Sequence, residues 1–322
     1  MKYRRLGRTG IPVSEIGFGA WGIGGTFWIG ARDEVSLRAL HVAIDHGLNF
    51  VDTALAYGRG HSERLIGRLL RERNERIYVA TKIPPKSQIW PAPPDAKLQD
   101  FFPAAYIVSC TEESLKNLGI DCIDLQQFHV WNDNWAARGE WQEAVERLKR
   151  EGKVRHFGIS INDYQPQNGL EAAKTGHIDS FQFIYNVFEQ APEEHLLPYC
   201  RKHDLGAIVR VPLDEGALTG HITPETVFPA GDFRNHYFRG ERRREVSEHV
   251  ERLRFLLHDG VETLAEAALR FCLSHPAVST VIAGMRTPEH AEANCGLSDG
   301  RGLPAEDLAA LRSHVWPHNY YA

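Results

Sequence analysis

Short apolar, β-branched runs alternate with amphipathic stretches along nearly the whole chain. The strand-like runs are Ile16–Gly19, Asn49–Asp52, Ile77–Thr81, Cys122–Phe128, Val154–Ser160, Phe181–Tyr185, Ala207–Val211 and Ser279–Ala283. Between them, helical patterns cover Glu34–His46, Ser62–Arg71, Ala104–Leu118, Glu140–Arg150, Pro166–Thr175 and Glu193–Lys202. Ser62-Glu63 suits a helix start, since a hydroxyl caps free N–H groups and a first-turn acid suits the helix dipole. Strands buried on both faces and separated by helices make parallel βαβ units. Ahead of them, about residues 1–16 read as a small hairpin, with turn residues Gly7, Gly10 and Pro12.

Length then selects among parallel folds. A chain of 322 residues fits one (β/α)8 barrel of about 250 residues plus insertions; two domains of roughly 150 residues are the competing arrangement. No linker or low-complexity tract divides the chain. An open doubly wound sheet is expected to carry a G-x-G-x-x-G turn opening a helix after its first strand, and Gly17-Phe18-Gly19-Ala20-Trp21-Gly22 does not open one. The expectation is one α/β domain over 1–322, a (β/α)8 TIM barrel behind a short hairpin. Three stretches exceed ordinary connections: about 84–103, 129–139 and 213–241. All three leave the C-terminal ends of strands, where barrels build their sites.

Composition narrows the class of partner. A hydrophobic fraction of 43% and a charged fraction of 25% describe an ordinary globule. With a net charge of -5, no basic field attracts nucleic acid or anionic lipid. No apolar h-region follows Met1-Lys2-Tyr3-Arg4-Arg5, and no run approaches the ~20 residues that span a bilayer. The five cysteines, Cys110, Cys122, Cys200, Cys272 and Cys295, are scattered and odd in number. That pattern points to a reducing, cytoplasmic setting rather than a disulfide frame. The sixteen histidines form no H-x-x-x-H or H-E-x-x-H pattern, so no metal is expected.

Candidate chemistry collects at strand exits. Asp52 closes the second strand with Tyr57 just beyond, Lys82 follows the third, and His129 follows the fourth. A carbonyl reduced by hydride develops negative charge on oxygen, so it needs a proton donor and a polarising group. Tyrosine is a weak acid with pKa ≈ 10, and an ammonium beside it favours the phenolate. The assignment is Tyr57 as acid, Lys82 as its electrostatic partner, Asp52 as the anchor of Lys82, and His129 as the group orienting the carbonyl.

These residues carry a resemblance to the aldo-keto reductases that covers essentially the whole chain. The D-T-A-x-x-Y-G-x-G-x-S-E motif matches Asp52 through Glu63 without a gap, followed by Leu65-Ile66-Gly67, and Thr81-Lys82 and Gln127-Phe128-His129 match at the family's spacing. The resemblance implies a barrel, NADPH as hydride donor, and the roles just given. It also implies cofactor contacts. Gly19-Ala20-Trp21 is similar to the segment along the nicotinamide ribose. Ser160 stands in the family's G-x-S-N turn, where Ile161 occupies the asparagine place and Asn162 comes one residue late. Gln182 matches the carboxamide-binding glutamine. Arg210 replaces the aromatic ring that stacks on the nicotinamide, and a planar guanidinium also stacks.

Pro212, Leu213, Gly216, Leu218 and Gly220 resemble the loop over the pyrophosphate, with His221 where relatives often have lysine. Gly284, Met285, Arg286, His290 and Asn294 resemble the adenosine-phosphate site, and Ala293 replaces an acid common there. Arg286 is suited to a bidentate pair with a 2′-phosphate, which favours NADPH over NADH. Substrate contact is assigned to Tyr57 and His129, and to Trp21, Trp28, Trp90 and Trp131, which line an aromatic pocket or belong to the core, as does Trp135. The tail, Trp316 to Tyr321, closes over the pocket or merely packs. Glu241-Arg242-Arg243-Arg244 reads as the solvated start of a helix. The function expected is reduction of an aldehyde or ketone by NADPH. The alternatives are a nucleotide-sensing or auxiliary subunit with slow turnover, and a barrel lyase or isomerase. Physiological substrate and oligomeric state are not readable.

Overall fold

The computed structural model describes residues 1–137, 139–258 and 260–322; Arg138, inside the expected 129–139 loop, lies outside the described residues. Two antiparallel strands, Tyr3–Arg5 and Pro12–Ser14, form the hairpin. Eight parallel strands among the described residues then close a barrel: β1 (Ile16–Gly19), β2 (Phe50–Asp52), β3 (Tyr78–Ile83), β4 (Ile123–Phe128), β5 (Val154–Ser160), β6 (Ser180–Ile184), β7 (Gly206–Arg210) and β8 (Thr280–Gly284). Each pairs with the next, and β8 closes the ring by pairing with both β7 and β1. The outer helices are α1 (Asp33–Asp45), α2 (His61–Glu72), α3 (Ala104–Leu118), α4 (Glu140–Arg150), α5 (Leu170–Lys174), α6 (Leu196–Lys202), α7 (Leu264–Ser274) and α8 (Pro288–Gly296).

Strand parity explains where the site must be. Side chains two apart on a strand share a face. Phe50, Ala80, Leu125, Ile208 and Ile282 fill the lower barrel together with Leu6, Ile11 and Val13 of the hairpin. Two residues further along β2, β3, β4 and β7 stand Asp52, Lys82, Gln127 and Arg210. The interior therefore changes from apolar to polar going up, and the polar layer lies at the C-terminal end. Leu6 fits so closely that a Cβ on Gly206 would meet its Cδ1 at 2.6 Å.

Several local expectations are corrected. Ser62 does not cap α2, because Gly60, at φ +78, holds that position. Instead Ser62 is buried, accepting from Thr53 Oγ1 at 2.9 Å and donating to the Ala20 carbonyl at 3.0 Å. Glu63 faces inward, accepting from Thr81 at 2.6 Å and Asn117 at 2.9 Å. The helix expected over Pro166–Thr175 begins only at Leu170. Asn168 spends its side chain on the backbone of Asn162 and Trp131, and Gly169, at φ +90, donates its N–H to Asp133. Such local side-chain bonds compete with helix formation. α6 is also shorter than its pattern, preceded by a separate 3-10 turn at Ala191–Glu193. Neither α7 nor the strained backbone after β7 was signalled by periodicity.

The long connections carry only brief structure: helical turns at Leu98–Phe101 and Arg234–Tyr237, and 3-10 turns at Asp133–Trp135 and Asp214–Thr219. A helix at Arg242–Glu251 follows, as the charge run there suggested. All five cysteines are free thiols. Among the described residues no helix is long and apolar enough to cross a membrane.

Candidate active site

Asp52 and Lys82 point into the barrel top, with 2% and 0% of their surfaces exposed. The Lys82 ammonium donates to Asp52 Oδ1, to the Thr53 carbonyl at 2.8 Å, and to the Tyr57 hydroxyl at 3.3 Å. Asp52 Oδ2 accepts from Gln127 Nε2 at 3.0 Å and Gln182 Nε2 at 2.8 Å. Both oxygens of the carboxylate are thus committed, which is what a buried charge requires. Tyr57 is delivered by the turn after β2. Gly58, at φ +64, lets that turn press on the β1 loop so closely that a Cβ would lie 2.0 Å from the Gly24 carbonyl oxygen. His129 stands across from Tyr57, ring centroids 5.7 Å apart, and its backbone N–H donates to the Ile83 carbonyl at 3.0 Å.

Electrostatics refine the expected roles. Burial opposes the charge on Lys82, but Asp52 and Tyr57 outweigh it and raise its pKa, so the side chain stays an ammonium. Burial also dominates at Tyr57. It raises the phenol above its ordinary value, with Lys82 pulling the other way and Asp52 adding to the rise. Lys82 acts in the direction expected of it, but burial outweighs it: Tyr57 is a neutral O–H whose acidity Lys82 only partly restores. Burial, then Lys82 and Arg210, push His129 well below its usual pKa. It is a neutral imidazole, with Nδ1 buried and unpartnered.

The residues singled out for a cofactor surround this polar floor. Ala20 donates to the Asp52 carbonyl at 2.9 Å, which seats Gly19-Ala20-Trp21 beside β2. The Trp21 ring lies 6.3 Å from the Tyr57 ring. Ser160, at the end of β5, is the register partner of Gln182 in the middle of β6. Arg210 at the end of β7 donates from Nη2 to Asp163 at 2.6 Å and to the Ile161 carbonyl at 3.1 Å, while its Nε is buried without a partner. Pro212, Leu213, Gly216 and Gly220 follow in the loop 211–220, and Gly216 and Gly220 have φ of +100 and +77. Leu218 and Met285 are core residues by burial, leaving backbone for any ligand.

At the end of β8, Asn294 donates to the Gly284 carbonyl at 3.4 Å, and His290 sits near enough to Arg286 for the guanidinium to add to the lowering of its pKa by partial desolvation. Arg286 donates to the Ile29 carbonyl at 2.7 Å and keeps a buried, unpartnered Nε.

Two assigned residues are placed elsewhere. Asn162 accepts from the Trp131 N–H at 3.3 Å and donates to the Trp131 carbonyl and to Gln165 Oε1, each at 3.0 Å, so its amide is already spent. Trp131 is fully buried against Phe128, Trp135 and Trp141, and is core rather than pocket wall. Trp135 is core too, donating to the Ala96 carbonyl at 2.8 Å. Trp28 lies between Arg234 and Arg286, at 4.3 and 5.7 Å from their guanidinium carbons. Trp90, 43% exposed, stands edge-on to His129 at 5.8 Å.

Sequence reasoning missed Gln127, Asp163 and Glu215. Gln127 was recoverable, because it follows inward-facing Leu125 by two. Glu215 and its tail partner Tyr321 meet from positions 106 residues apart in sequence, and no short-range signal announces that.

A family model described as "Aldo/keto reductase family" matches residues 15–315. "Aldo-keto reductase YhdN" of Bacillus subtilis is 33% identical over 95% of this chain and 91% of its own length. The "NADH-specific methylglyoxal reductase" of Escherichia coli is 30% identical over 96% of this chain and 98% of its own. A crystal structure of an aldo-keto reductase from Klebsiella pneumoniae in complex with NADPH superposes with a TM-score of 0.71 at 26% identity, covering 99% of this chain and 98% of that one. A closed parallel barrel, a lysine–tyrosine pair at its C-terminal end and a match along the whole barrel agree: this chain belongs to the aldo/keto reductase family.

Proposed function

We propose that the protein reduces an aldehyde or ketone to an alcohol with a nicotinamide cofactor, NADPH in preference to NADH, and that Tyr57 delivers the proton. The observation that carries this reading is the partly buried contact between the Lys82 ammonium and the Tyr57 hydroxyl, 3.3 Å long. The residues fit a dinucleotide: the buried Nε atoms of Arg210 and Arg286 lack partners, one on the guanidinium near Tyr57 and one just beyond the end of β8. Arg210 would lie along the nicotinamide, Ser160 and Gln182 beside its carboxamide, and Arg286 at the 2′-phosphate.

The reduced nicotinamide, when bound, supplies the hydride to the carbonyl carbon. Tyr57 gives its proton to the carbonyl oxygen, so one C–H and one O–H bond form as the C=O double bond becomes single. Lys82 stabilises the phenolate left behind. Asp52, held by Gln127 and Gln182, keeps Lys82 charged and aimed. Neutral His129 hydrogen-bonds the carbonyl oxygen and fixes the approach between Trp21 and Trp90.

The test is oxidation of NADPH and NADH against a panel of aldehydes, quinones and keto sugars, with Tyr57→Phe as control. That substitution is expected to lower kcat about 10²–10⁴-fold while cofactor affinity is kept. Turnover surviving at more than a few per cent would refute the assigned donor. Tight cofactor binding without turnover on any carbonyl would favour a sensor.

A further inference from the structure

The last residues of the chain end against the loop that follows β7. His318 Nε2 lies 3.1 Å from Asp214 Oδ2, Tyr237 donates to Asp214 Oδ1 at 2.7 Å, and the Tyr321 hydroxyl donates to Glu215 Oε1. His318 Nδ1 faces the Trp316 carbonyl at 2.7 Å. Both ring nitrogens therefore face acceptors, an environment that suits the doubly protonated ring.

Asp214 and Glu215 are buried and adopt left-handed backbone, φ +47 and +54, as does Val211 at +55. Residues with a Cβ hold such angles only where their surroundings impose them. The surroundings include the tail, which is itself well anchored. The Trp316 ring is stacked between His249 at 3.7 Å and His318 at 4.0 Å. Arg242 donates to the Tyr320 carbonyl at 2.9 Å. The Tyr321 ring stacks on Phe233 at 5.8 Å, and Phe233 touches Trp21 at 5.2 Å.

We propose that His318 and Tyr321 are positioning residues of the cofactor site: they clasp Asp214 and Glu215, hold the loop 211–220 closed, and so slow cofactor exchange. This rests on the reading that the loop covers the bound dinucleotide. The two residues act through the loop and touch neither substrate nor reacting atoms.

The clasp has a built-in pH response. Glu215 is faced by Tyr321, Asp214, Arg210 and Asp163, with Tyr237 beside them, and burial pushes its carboxyl up to about 7. A raised pKa means that closure favours the protonated acid. The closed loop is fully favoured below 4.5 and progressively less so as pH rises to about 7. His318, faced by Asp214, Glu189 and His249, acts with the same sign. Burial opposes its charge, but Asp214, the Trp316 carbonyl and Glu189 together outweigh this and raise it above 6.5, so its contribution fades as pH rises further. Acid tightens the clasp and alkali loosens it.

Release of NADP⁺, which tolerates acid, is to be followed in the full-length protein by recovery of tryptophan fluorescence, with the melting temperature of each variant recorded. Tyr321→Phe and His318→Gln are each expected to speed release about fivefold or more, with the single-turnover rate at saturating cofactor retained. Wild-type release should quicken between pH 4.5 and about 7, and Glu215→Gln, which keeps the shape and the acceptor, should flatten that rise. Wild-type release rates in both tail variants, or a Glu215→Gln profile that rises like the wild type, would overturn the proposal. If a tail variant melts early, Glu215→Gln decides alone. A wild-type protein that binds neither NADP⁺ nor NAD⁺ would overturn the proposed function and the clasp together.

Discussion

Lys82 has no exposed surface, yet it keeps its charge because Asp52 and Tyr57 together return more than desolvation removes. The balance is one-sided if either partner is lost, since an unpaired buried charge is far more destabilising than the intact pair is stabilising. Asp52→Asn should therefore lower stability by about 3–5 kcal/mol, read as a shift of the urea midpoint. The sign with pH follows from the raised Lys82: its contribution is full below 10.5 and is lost as pH climbs through the higher folded value. Tyr57 leads to a separate pH prediction. With Tyr57 as the proposed donor, reduction would need the protonated phenol, and burial raises its pKa above 10.0. The single-turnover reduction rate should therefore stay level through neutral pH and fall only beyond 10.0. A descending limb centred near neutrality would show that another group donates. At this scale the reactive quartet was legible, because an acid, a phenol, an amine and an imidazole at consecutive strand exits have one obvious joint use. The net direction of the Tyr57 shift was not legible. It depends on how much of the ring is covered, and that is decided by segments far away in sequence.

The element that closes the lower end of the barrel is the hairpin, whose Leu6, Ile11 and Val13 form one cluster with Phe50, Ala80, Leu125, Ile208 and Ile282. Leu6 has no exposed surface and abuts Gly206 so tightly that no room exists for a methyl group there. Leu6→Ala should cost about 2–5 kcal/mol in denaturant unfolding. Cofactor affinity should be unchanged, since the plug and the polar layer occupy opposite ends of the barrel. A variant that keeps its stability would mean the hairpin is not part of the folded unit. Elements whose pattern reports burial alone were read to the residue, as with Ala104–Leu118, Glu140–Arg150 and Val154–Ser160. The failures have a common cause. Where the Asn168 side chain accepts from the Asn162 N–H, the Asn162 side chain donates to the Trp131 carbonyl and the Gly169 N–H is spent on Asp133, a helical pattern is present but the backbone bonds are already taken. Trp131 misled in the same way: a tryptophan in a long loop after a strand suggests a pocket wall, but this one turns back into an aromatic core.

At the scale of the whole molecule, the cleft is bounded by loops that already hold one another. The Phe233 N–H donates to the Phe27 carbonyl at 2.7 Å, Ile29 donates to Asp232 at 3.0 Å, and Arg286 reaches the Ile29 carbonyl at 2.7 Å. The loops after β1, β7 and β8 thus meet around Trp28. A dinucleotide laid from Tyr57 to Arg286 would touch all three, so it should stabilise the molecule as a unit: by mass action, about 2.7 kcal/mol at a hundredfold excess over Kd. On the proposed reading, Arg286 would supply the cofactor discrimination. Burial and the neighbouring Arg234 both lower its pKa, Asp232 opposes them, and the guanidinium remains an unneutralised charge that a 2′-phosphate would complete. The thermal shift produced by NADPH should therefore exceed that produced by NADH at equal concentration. Arg286→Ala should erase the difference by weakening NADPH alone, by about 1.5–3 kcal/mol. Equal shifts in the wild type would leave Arg286 without that role and would place this chain with relatives that use NADH. Unequal shifts that persist in Arg286→Ala would move the discrimination to another group in the same cleft, with His290 beside Arg286 the first to examine.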